Sequence, residues 1–266
     1  MKQYISLSGG QDLAESIRHF HIIQVMGSQD IRQRYKRSRL GPFWITISMA
    51  VMITTMGLIF ANLFKIPVRE FLPYLTLGII FWNFTQSSVS EGCDALIVSE
   101  GIIKQLPVPL NVHVLRVLYK NFIIFVHNII IFPFVLLVVG KEINWHVLLF
   151  LPGLVLLVLN LAWIMMVISM ICARYRDMTQ IILSLMQVIF YVTPIIWMPK
   201  LLQNHIGQSL LNFNPLYHLL NIVRLPLLGE SAPPVSYWVS GLMGVAGFII
   251  SIAVTTKYKY RIPYWV

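Results

Sequence analysis

Polar side chains recur at helical spacing inside two long apolar segments of the sequence. The stripes consist of Thr76, Asn83, Ser87 and Ser90, and of Gln180, Ser184, Gln187 and Tyr191. Steps of three, four or seven residues place each stripe on one face of a helix. Such a face avoids lipid, and it either hydrogen-bonds to neighbouring helices or lines an aqueous path.

Aromatic residues accompany both stripes, and this combination suits one class of ligand. A sugar ring is apolar on its axial faces and polar at its edge, so it matches an aromatic face beside hydrogen-bonding groups. An aromatic belt at the membrane interface is the alternative. The predicted glycan channel residues are Trp82, Asn83, Phe84, Ser87, Gln187, Phe190, Tyr191 and Trp197.

Two charged segments between apolar runs are suited to receive a partner protein. In SEGIIKQLPVPLN, Gly101 and two prolines punctuate a short helix. In ARYRDM, the guanidinium groups of Arg174 and Arg176 are placed to pair with carboxylates of a docked partner. An ordinary solvated turn is the alternative for both segments.

The N-terminal region has the pattern of an amphipathic helix lying in the membrane plane. Asp12 and Glu15 resemble a capping box, and Leu13, Ile17 and Phe20 form one apolar face. A basic stretch follows, with Arg32, Arg34, Lys36, Arg37 and Arg39. These residues set topology against anionic lipid, or they bind the phosphate of an anionic substrate headgroup directly.

Several familiar signatures are missing or stand alone. Leu7–Gln11 spells LSGGQ, a pentapeptide of ATPase domains, but no lysine of the chain is followed by Ser or Thr, as a phosphate-binding loop requires. No HExxH or CxxC spacing is present, so we expect no metal site and no catalytic residue. No Asp or Glu lies mid-span, which disfavours proton-coupled transport. Energy for transport would therefore enter from a cytoplasmic partner.

Composition indicates an all-α polytopic membrane protein. Of 266 residues, 57% are hydrophobic and 11% charged, against roughly 25% charged in soluble domains. The net charge of +10 lies beside the apolar runs, which favours lipid contact over nucleic-acid binding. Six spans are predicted, at residues 43–64, 71–90, 115–139, 147–172, 180–198 and 236–256.

Orientation follows from the basic residues. With residues 1–42 cytoplasmic, fifteen of the twenty Lys and Arg side chains fall inside and five outside, so both termini are expected in the cytoplasm. Residues 199–235 are expected to form a re-entrant helical pair on the outer side, because a further span would bury Arg224 at a cost of about 2.5–3.5 kcal/mol. A surface loop and a seventh span are the alternatives.

Five ordered motifs resemble the permease subunit of bacterial polysaccharide ABC exporters, most of all the O-antigen type, with capsule and teichoic-acid permeases close behind. They are QRYKRSRLGPFW (Gln33–Trp44), SEGIIKQLPVP (Ser99–Pro109), ARYRDM (Ala173–Met178), TPIIW (Thr193–Trp197) and NPLYHLL (Asn214–Leu220). The resemblance covers essentially the whole chain. It implies a single transmembrane domain over residues 1–266 that forms a homodimer and binds two copies of a cytoplasmic ATPase.

The resemblance also assigns roles to residues. It implies that the ATPase-coupling residues are Glu100, Ile102, Ile103, Lys104, Leu106, Arg174, Tyr175, Arg176 and Asp177. The basic N-terminal helix would receive the lipid pyrophosphate of an undecaprenyl-linked polysaccharide in the bacterial inner membrane. ATP and Mg would be bound by the partner subunit, and this chain would carry no cofactor. Leu106 departs from the pattern, since many relatives have an aromatic residue before the proline.

Two other classes of function are compatible with a polytopic helical membrane protein. An exporter of a small hydrophobic compound shares the architecture, and the polar stripes favour a glycan over it. A membrane glycosyltransferase would need carboxylates near the interface, where Glu91, Asp94, Glu100 and Asp177 are the candidates.

Overall fold

Helices make up most of the residues that the computed structural model of the chain describes, which are 8–36, 43–106, 108–141, 144–201 and 205–266, and no strand occurs among them. The helices are α1 (Gly9–Arg18), α2 (Phe20–Tyr35), α3 (Phe43–Phe64), α4 (Val68–Asp94), α5 (Glu100–Gln105), α6 (Leu110–Ile129), α7 (Ile131–Val139), α8 (Phe150–Arg174), α9 (Met178–Val192), α10 (His205–Asn212), α11 (Pro215–Leu227), α12 (Pro234–Tyr258) and α13 (Ile262–Trp265). Short 3-10 turns occupy Trp145–Leu149, Pro199–Leu201 and Lys259–Arg261. The all-α prediction is confirmed for these ranges.

Helix α4 lies at the centre of the bundle and packs against α3, α6 and α8. Its side chains fill much of the core, with Phe71, Leu75 and Phe81 almost completely buried. Helix α12 packs along α8 on the other side, and α11 closes the space between α8 and α12. The core therefore follows α4 and α8 through the whole bundle.

Among the described residues, four helical segments are long and apolar enough to cross a membrane. They are Phe43–Phe64, Leu110–Val139, Trp145–Arg174 and Pro234–Trp265. Each overlaps a predicted span. The other two predicted spans are not among these four. The span 71–90 corresponds to α4, whose polar stripe makes it less apolar, and the span 180–198 corresponds to α9, which has only 15 residues.

The end of α9 differs from the prediction. The predicted span ran to residue 198, but the helix stops at Val192 and the chain continues in turns through Trp197. Proline lacks a backbone N–H and disfavours the helical conformation of the residue before it, so Pro194 forces Thr193 into its extended conformation. Trp197 consequently lies outside the helix that carries Tyr191.

Two short helices occupy the predicted re-entrant region. They are α10 and α11, and α11 begins with a complete cap: the Asn214 side chain accepts hydrogen bonds from Leu216 N at 3.0 Å and Tyr217 N at 3.4 Å. Pro215 stands at the first helical position, where its missing N–H has no cost. Their depth in the membrane stays a prediction.

The capping box expected at Asp12 and Glu15 is wrong. Ser8 and Gln11, two residues of the LSGGQ sequence, form it instead: Gln11 N donates to Ser8 Oγ at 3.2 Å and Ser8 N donates to Gln11 Oε1 at 2.8 Å. Asp12 serves another helix. Its carboxylate accepts from Leu110 N at 3.2 Å and Asn111 N at 3.1 Å, and so caps α6.

The predicted apolar face of α1 and α2 is present. Leu13, Ile17 and Phe20 line an apolar cavity of about 500 Å³ whose other walls come from α6, α8 and α12, including Phe122 and Met166. Hydrophobic side chains of the N-terminal helices thus lie against the bundle. That these helices rest in the membrane plane stays a prediction.

Candidate functional site

The α5 segment, the first of the two predicted coupling segments, lies at the surface of the bundle. None of its residues is buried, and Leu106 just after it is 54% exposed. Lys104 Nζ lies 2.7 Å from Glu100 Oε1, and this hydrogen bond, with the charge of Lys104, holds the pKa of Glu100 below its usual value. Arg116 fixes the start of the segment by donating to Ser99 Oγ at 3.2 Å.

The Arg174–Asp177 turn between α8 and α9 is the second predicted coupling segment. All four of its side chains are exposed, Tyr175 to 54%. The charge of Arg176 also contributes to lowering the pKa of Glu100, which shows that the turn lies near α5. Two segments about 70 residues apart in the sequence therefore share one end of the bundle.

The polar stripe of α4 faces inward. Thr76 is fully buried, and Asn83 and Ser87 line a polar cavity of about 190 Å³ between α3, α4 and α6. The same cavity receives Asn121 and Asn128 from α6. Since a cavity of this size holds several waters, its lining indicates a hydrated space within the bundle.

Charged and aromatic groups complete this cavity. Glu91 accepts from Asn121 Nδ2 at 2.8 Å and pairs with Lys120 Nζ at 2.7 Å. Phe84 supplies an aromatic wall, its ring centroid 5.0 Å from that of Phe125. Asn121 and Asn128 were missed in the sequence, although two asparagines seven residues apart in an apolar helix follow the same periodicity as the stripes.

The polar stripe of α9 faces outward. Gln180, Ser184, Gln187 and Tyr191 are all exposed, and Tyr191 is exposed to 60%. The exposed apolar residues of the same helix, Ile181, Leu185, Val188 and Val192, lie beside this stripe on an adjacent arc. The surface of α9 is therefore divided lengthwise into a polar and an apolar half.

Aromatic residues join α4 to α9. The ring centroids of Trp82 and Phe190 are 5.5 Å apart, and those of Phe190 and Tyr191 are 5.3 Å apart. Trp197 Nε1 donates to the carbonyl oxygen of Tyr191 at 3.2 Å. The structure thus brings together Trp82, Phe190, Tyr191 and Trp197, with Gln187 on the same helix, and places Asn83, Phe84 and Ser87 in the separate cavity.

A buried arginine fastens the turn after α9 to the core. Arg224 is 1% exposed, donates from Nη1 to the carbonyl oxygen of Pro194 at 2.7 Å and lies 4.0 Å from the ring centroid of Tyr74. Tyr74 donates its hydroxyl to the Pro194 and Trp197 carbonyls at 3.0 and 3.2 Å. From the sequence, only the energetic cost of placing Arg224 in the membrane could be predicted. Its structural role could not, because its partners Pro194 and Tyr74 are far from it in the sequence.

The basic residues are only partly within the described structure. Arg32 and Lys36 are exposed at the end of α2, and α2 is tied to α6 by Asp30, which lies 3.8 Å from Arg116. Arg34 lies in α2. Arg37 and Arg39 fall outside the described residues, and their contact with lipid or with a substrate phosphate stays a prediction.

Known proteins resemble the chain over most of its length. The family model for ABC-2 type transporters matches residues 21–228. The O-antigen export system permease protein RfbA of Myxococcus xanthus is 24% identical over 194 residues, which cover 72% of this chain and 74% of that protein. Two proteins with the same name from Klebsiella pneumoniae are 20% identical over 246 residues and 21% identical over 249, each covering 91% of this chain and 93% of the relative. With its helical bundle and apolar helices long enough to cross a membrane, the chain belongs to the ABC-2 type transporter family.

Proposed function

We propose that this chain is the membrane-spanning subunit of an ATP-driven exporter that moves undecaprenyl-pyrophosphate-linked, O-antigen-like polysaccharide across the bacterial inner membrane. Two copies of the chain form the path, and two copies of a cytoplasmic ATPase subunit, which bind ATP and Mg, drive it. The family and the O-antigen export relatives support this assignment. The chain itself is a transport subunit and carries no catalytic residue.

The observation that carries the proposal is the outward polar stripe of α9. Glutamine and serine side chains facing hydrocarbon lose hydrogen bonds to water, so such residues in membrane proteins turn towards protein or water. Gln180, Ser184 and Gln187 turn away from their own protomer. A second copy packed on the apolar half of α9 would convert the polar half into the wall of an aqueous path.

The aromatic group beside the stripe supports a glycan as the cargo. Tyr191 is exposed on the same side as Gln187, and Trp82 and Phe190 stand behind it. Sugar rings stack on such faces while their hydroxyls bond to the amides. The polar cavity with Asn83, Phe84 and Ser87 offers hydrated space on the other side of α4.

Topology follows from the same proposal. Helices α4 and α9 join the four apolar helices as the second and fifth spans, which gives six in a single transmembrane domain over residues 1–266. Residues 1–42 and the segment after α12 are cytoplasmic. The basic residues Arg32, Arg34, Lys36, Arg37 and Arg39 meet the lipid pyrophosphate, and α10 with α11 forms a re-entrant pair at the outer mouth.

Variants of α9 test this function. Tyr191→Ala and Gln187→Leu remove one aromatic and one polar group from the exposed stripe, so polysaccharide reaching the cell surface should fall several-fold while the amount of protein in the membrane is unchanged. Val245→Ala, at a 63% exposed position of α12, outside both the stripe and the proposed contact with the second copy, is the control. Normal export in both stripe variants would contradict the assignment of this face to the path.

A further inference from the structure

The C-terminal segment Ile262–Val266 lies between the two predicted coupling segments and contacts both. Lys104 of α5 donates from Nζ to the carbonyl oxygen of Val266 at 2.9 Å. On the other side, the guanidinium carbon of Arg174 lies 5.2 Å from the ring centroid of Trp265, within the range of a cation–π contact. One short segment therefore connects α5 to the α8–α9 turn.

The segment is anchored in the bundle and does not trail from it. Ile262 is completely buried, Val266 is 8% exposed, and the Trp265 ring centroid lies 5.8 Å from that of Tyr258 in α12. Since buried apolar side chains and aromatic contacts fix its position, the segment holds α5 and the turn at a constant spacing.

One side of the segment remains uncovered. Tyr264 is 87% exposed, while Leu106 after α5 and Tyr175 in the turn are each 54% exposed. Exposed apolar patches mark sites of contact with proteins or membranes, and tyrosine is enriched at protein interfaces. The three side chains come from the three segments that contact one another.

The charges around this surface are mainly positive. Lys104, Arg174, Arg176, Lys257 and Arg261 are exposed around it. Glu100 and Asp177 are the exposed carboxylates of the two predicted coupling segments, and Glu100 is already paired with Lys104. The charges of this surface therefore complement an acidic surface of a partner protein. A recess in that partner would receive the exposed ring of Tyr264.

We propose that Ile262–Val266 is a third element of the ATPase-docking surface, which joins the two coupling segments into one rigid unit and inserts Tyr264 into the ATPase subunit. This inference rests on the proposed function, because the ATPase is the partner it requires. It adds a contact element to which the sequence motifs assigned no role. An aromatic side chain that is exposed in the free protein and covered in the complex has the features of an interface hot spot.

Capture of the complex tests the proposal. The full chain is co-expressed with the ATPase subunit of the same exporter, the complex is purified in detergent through a tag on the ATPase, and the captured permease is quantified. Tyr264→Ala should weaken capture about tenfold at equal membrane levels, whereas Tyr264→Phe, which keeps the ring, should retain it. Trp238→Ala is the control, since Trp238 is 72% exposed near the start of α12, at the other end of that helix from Tyr264.

A second variant separates the rigid connection from the contact. Trp265→Leu removes the cation–π contact with Arg174 while both coupling segments and Tyr264 are kept, and it should lower the amount of polysaccharide exported per ATP hydrolysed even where capture is kept. If the Tyr264→Ala chain is captured as well as the wild type, the inference is overturned, and the exposed face of the segment belongs to the membrane surface. Failure of the wild-type chain to capture the ATPase would instead contradict the proposed function, and the inference with it.

Discussion

Buried polar residues in this protein connect helices that are distant in the sequence. Asp12 of α1 caps α6, and Arg224 of α11 holds the carbonyl oxygen of Pro194 after α9. Hydrogen bonds that involve a charged group contribute about 1.5–3 kcal/mol each when they are well formed. Each of these side chains fixes an end of a helix that borders a proposed functional surface.

Asp12 makes stability depend on pH. Burial is the largest influence and raises the pKa of its carboxyl above the usual 3.8, although the two backbone N–H groups of α6 act in the opposite direction. The folded protein consequently binds more protons than the unfolded chain above pH 3.8, and the contribution of Asp12 to stability falls as the pH rises towards the folded pKa.

The Asp12→Asn variant tests this direction of the pH dependence. Melting temperatures of wild type and variant are measured in detergent from about pH 4 to 7, and that of the wild type should fall relative to that of the variant as the pH rises. Glu15→Gln removes a carboxylate from the same helix and is the matched control. A difference that stays constant with pH, or that Glu15→Gln reproduces, would refute a specific role of the buried Asp12 carboxyl.

Local patterns around these residues could be predicted from the sequence, whereas their non-local hydrogen bonds could not. The periodicity of Leu13, Ile17 and Phe20 identified the apolar face correctly, because it is a local property of one helix. The capping role of Asp12 depends on residues 98 and 99 positions away, and nothing in its own neighbourhood indicates them. The capping box was assigned to the wrong pair for this reason.

At the scale of the elements, close helix contacts depend on glycine. Gly153 of α8 lies against the backbone of α11, and a Cβ atom there would press on the carbonyl oxygen of Ile222. Backbone cannot move aside as the end of a flexible side chain can. The approach of α8 to α11 therefore requires the absence of a side chain at this position.

Gly153→Ala should destabilise the protein by about 1–3 kcal/mol, because the added methyl group separates α8 from α11. Gly241→Ala is the matched control: it lies within α12, nothing in the described structure is within 4 Å of its Cβ position, and alanine there should be neutral or stabilising by up to about 1 kcal/mol. Thermal unfolding in detergent measures both. Equal effects of the two substitutions would show that helix propensity, and not the contact, decides the result.

Helix positions were predicted more closely than helix ends. Apolar length located α3, α8 and α12, and prolines and Gly101 correctly marked the short helix α5. The predicted fifth span extended six residues too far, because the apolar side chains of TPIIW outweighed the effect of Pro194. Periodicity identified both polar stripes, but which of them faces the core follows from tertiary packing.

At the scale of the molecule, the parts to which a function is proposed lie in different places on the chain. The α9 stripe faces away from the bundle, the polar cavity lies between α3, α4 and α6, and the coupling surface with Lys104, Arg174 and Trp265 occupies one end. In the proposed dimer the stripes of two copies would meet, and movement of the coupling surface would separate them. Motion at one end would thereby open the path along α9.

The central claim is that this chain moves a lipid-linked polysaccharide outward, and depletion of the protein in its native cell tests it most directly. Lipid-linked polysaccharide on the cytoplasmic face of the inner membrane is quantified together with polymer at the cell surface. The account predicts that the lipid-linked form accumulates inside while surface polymer is lost. Unchanged surface polymer without accumulation would contradict it and assign the path along α9 to a different cargo.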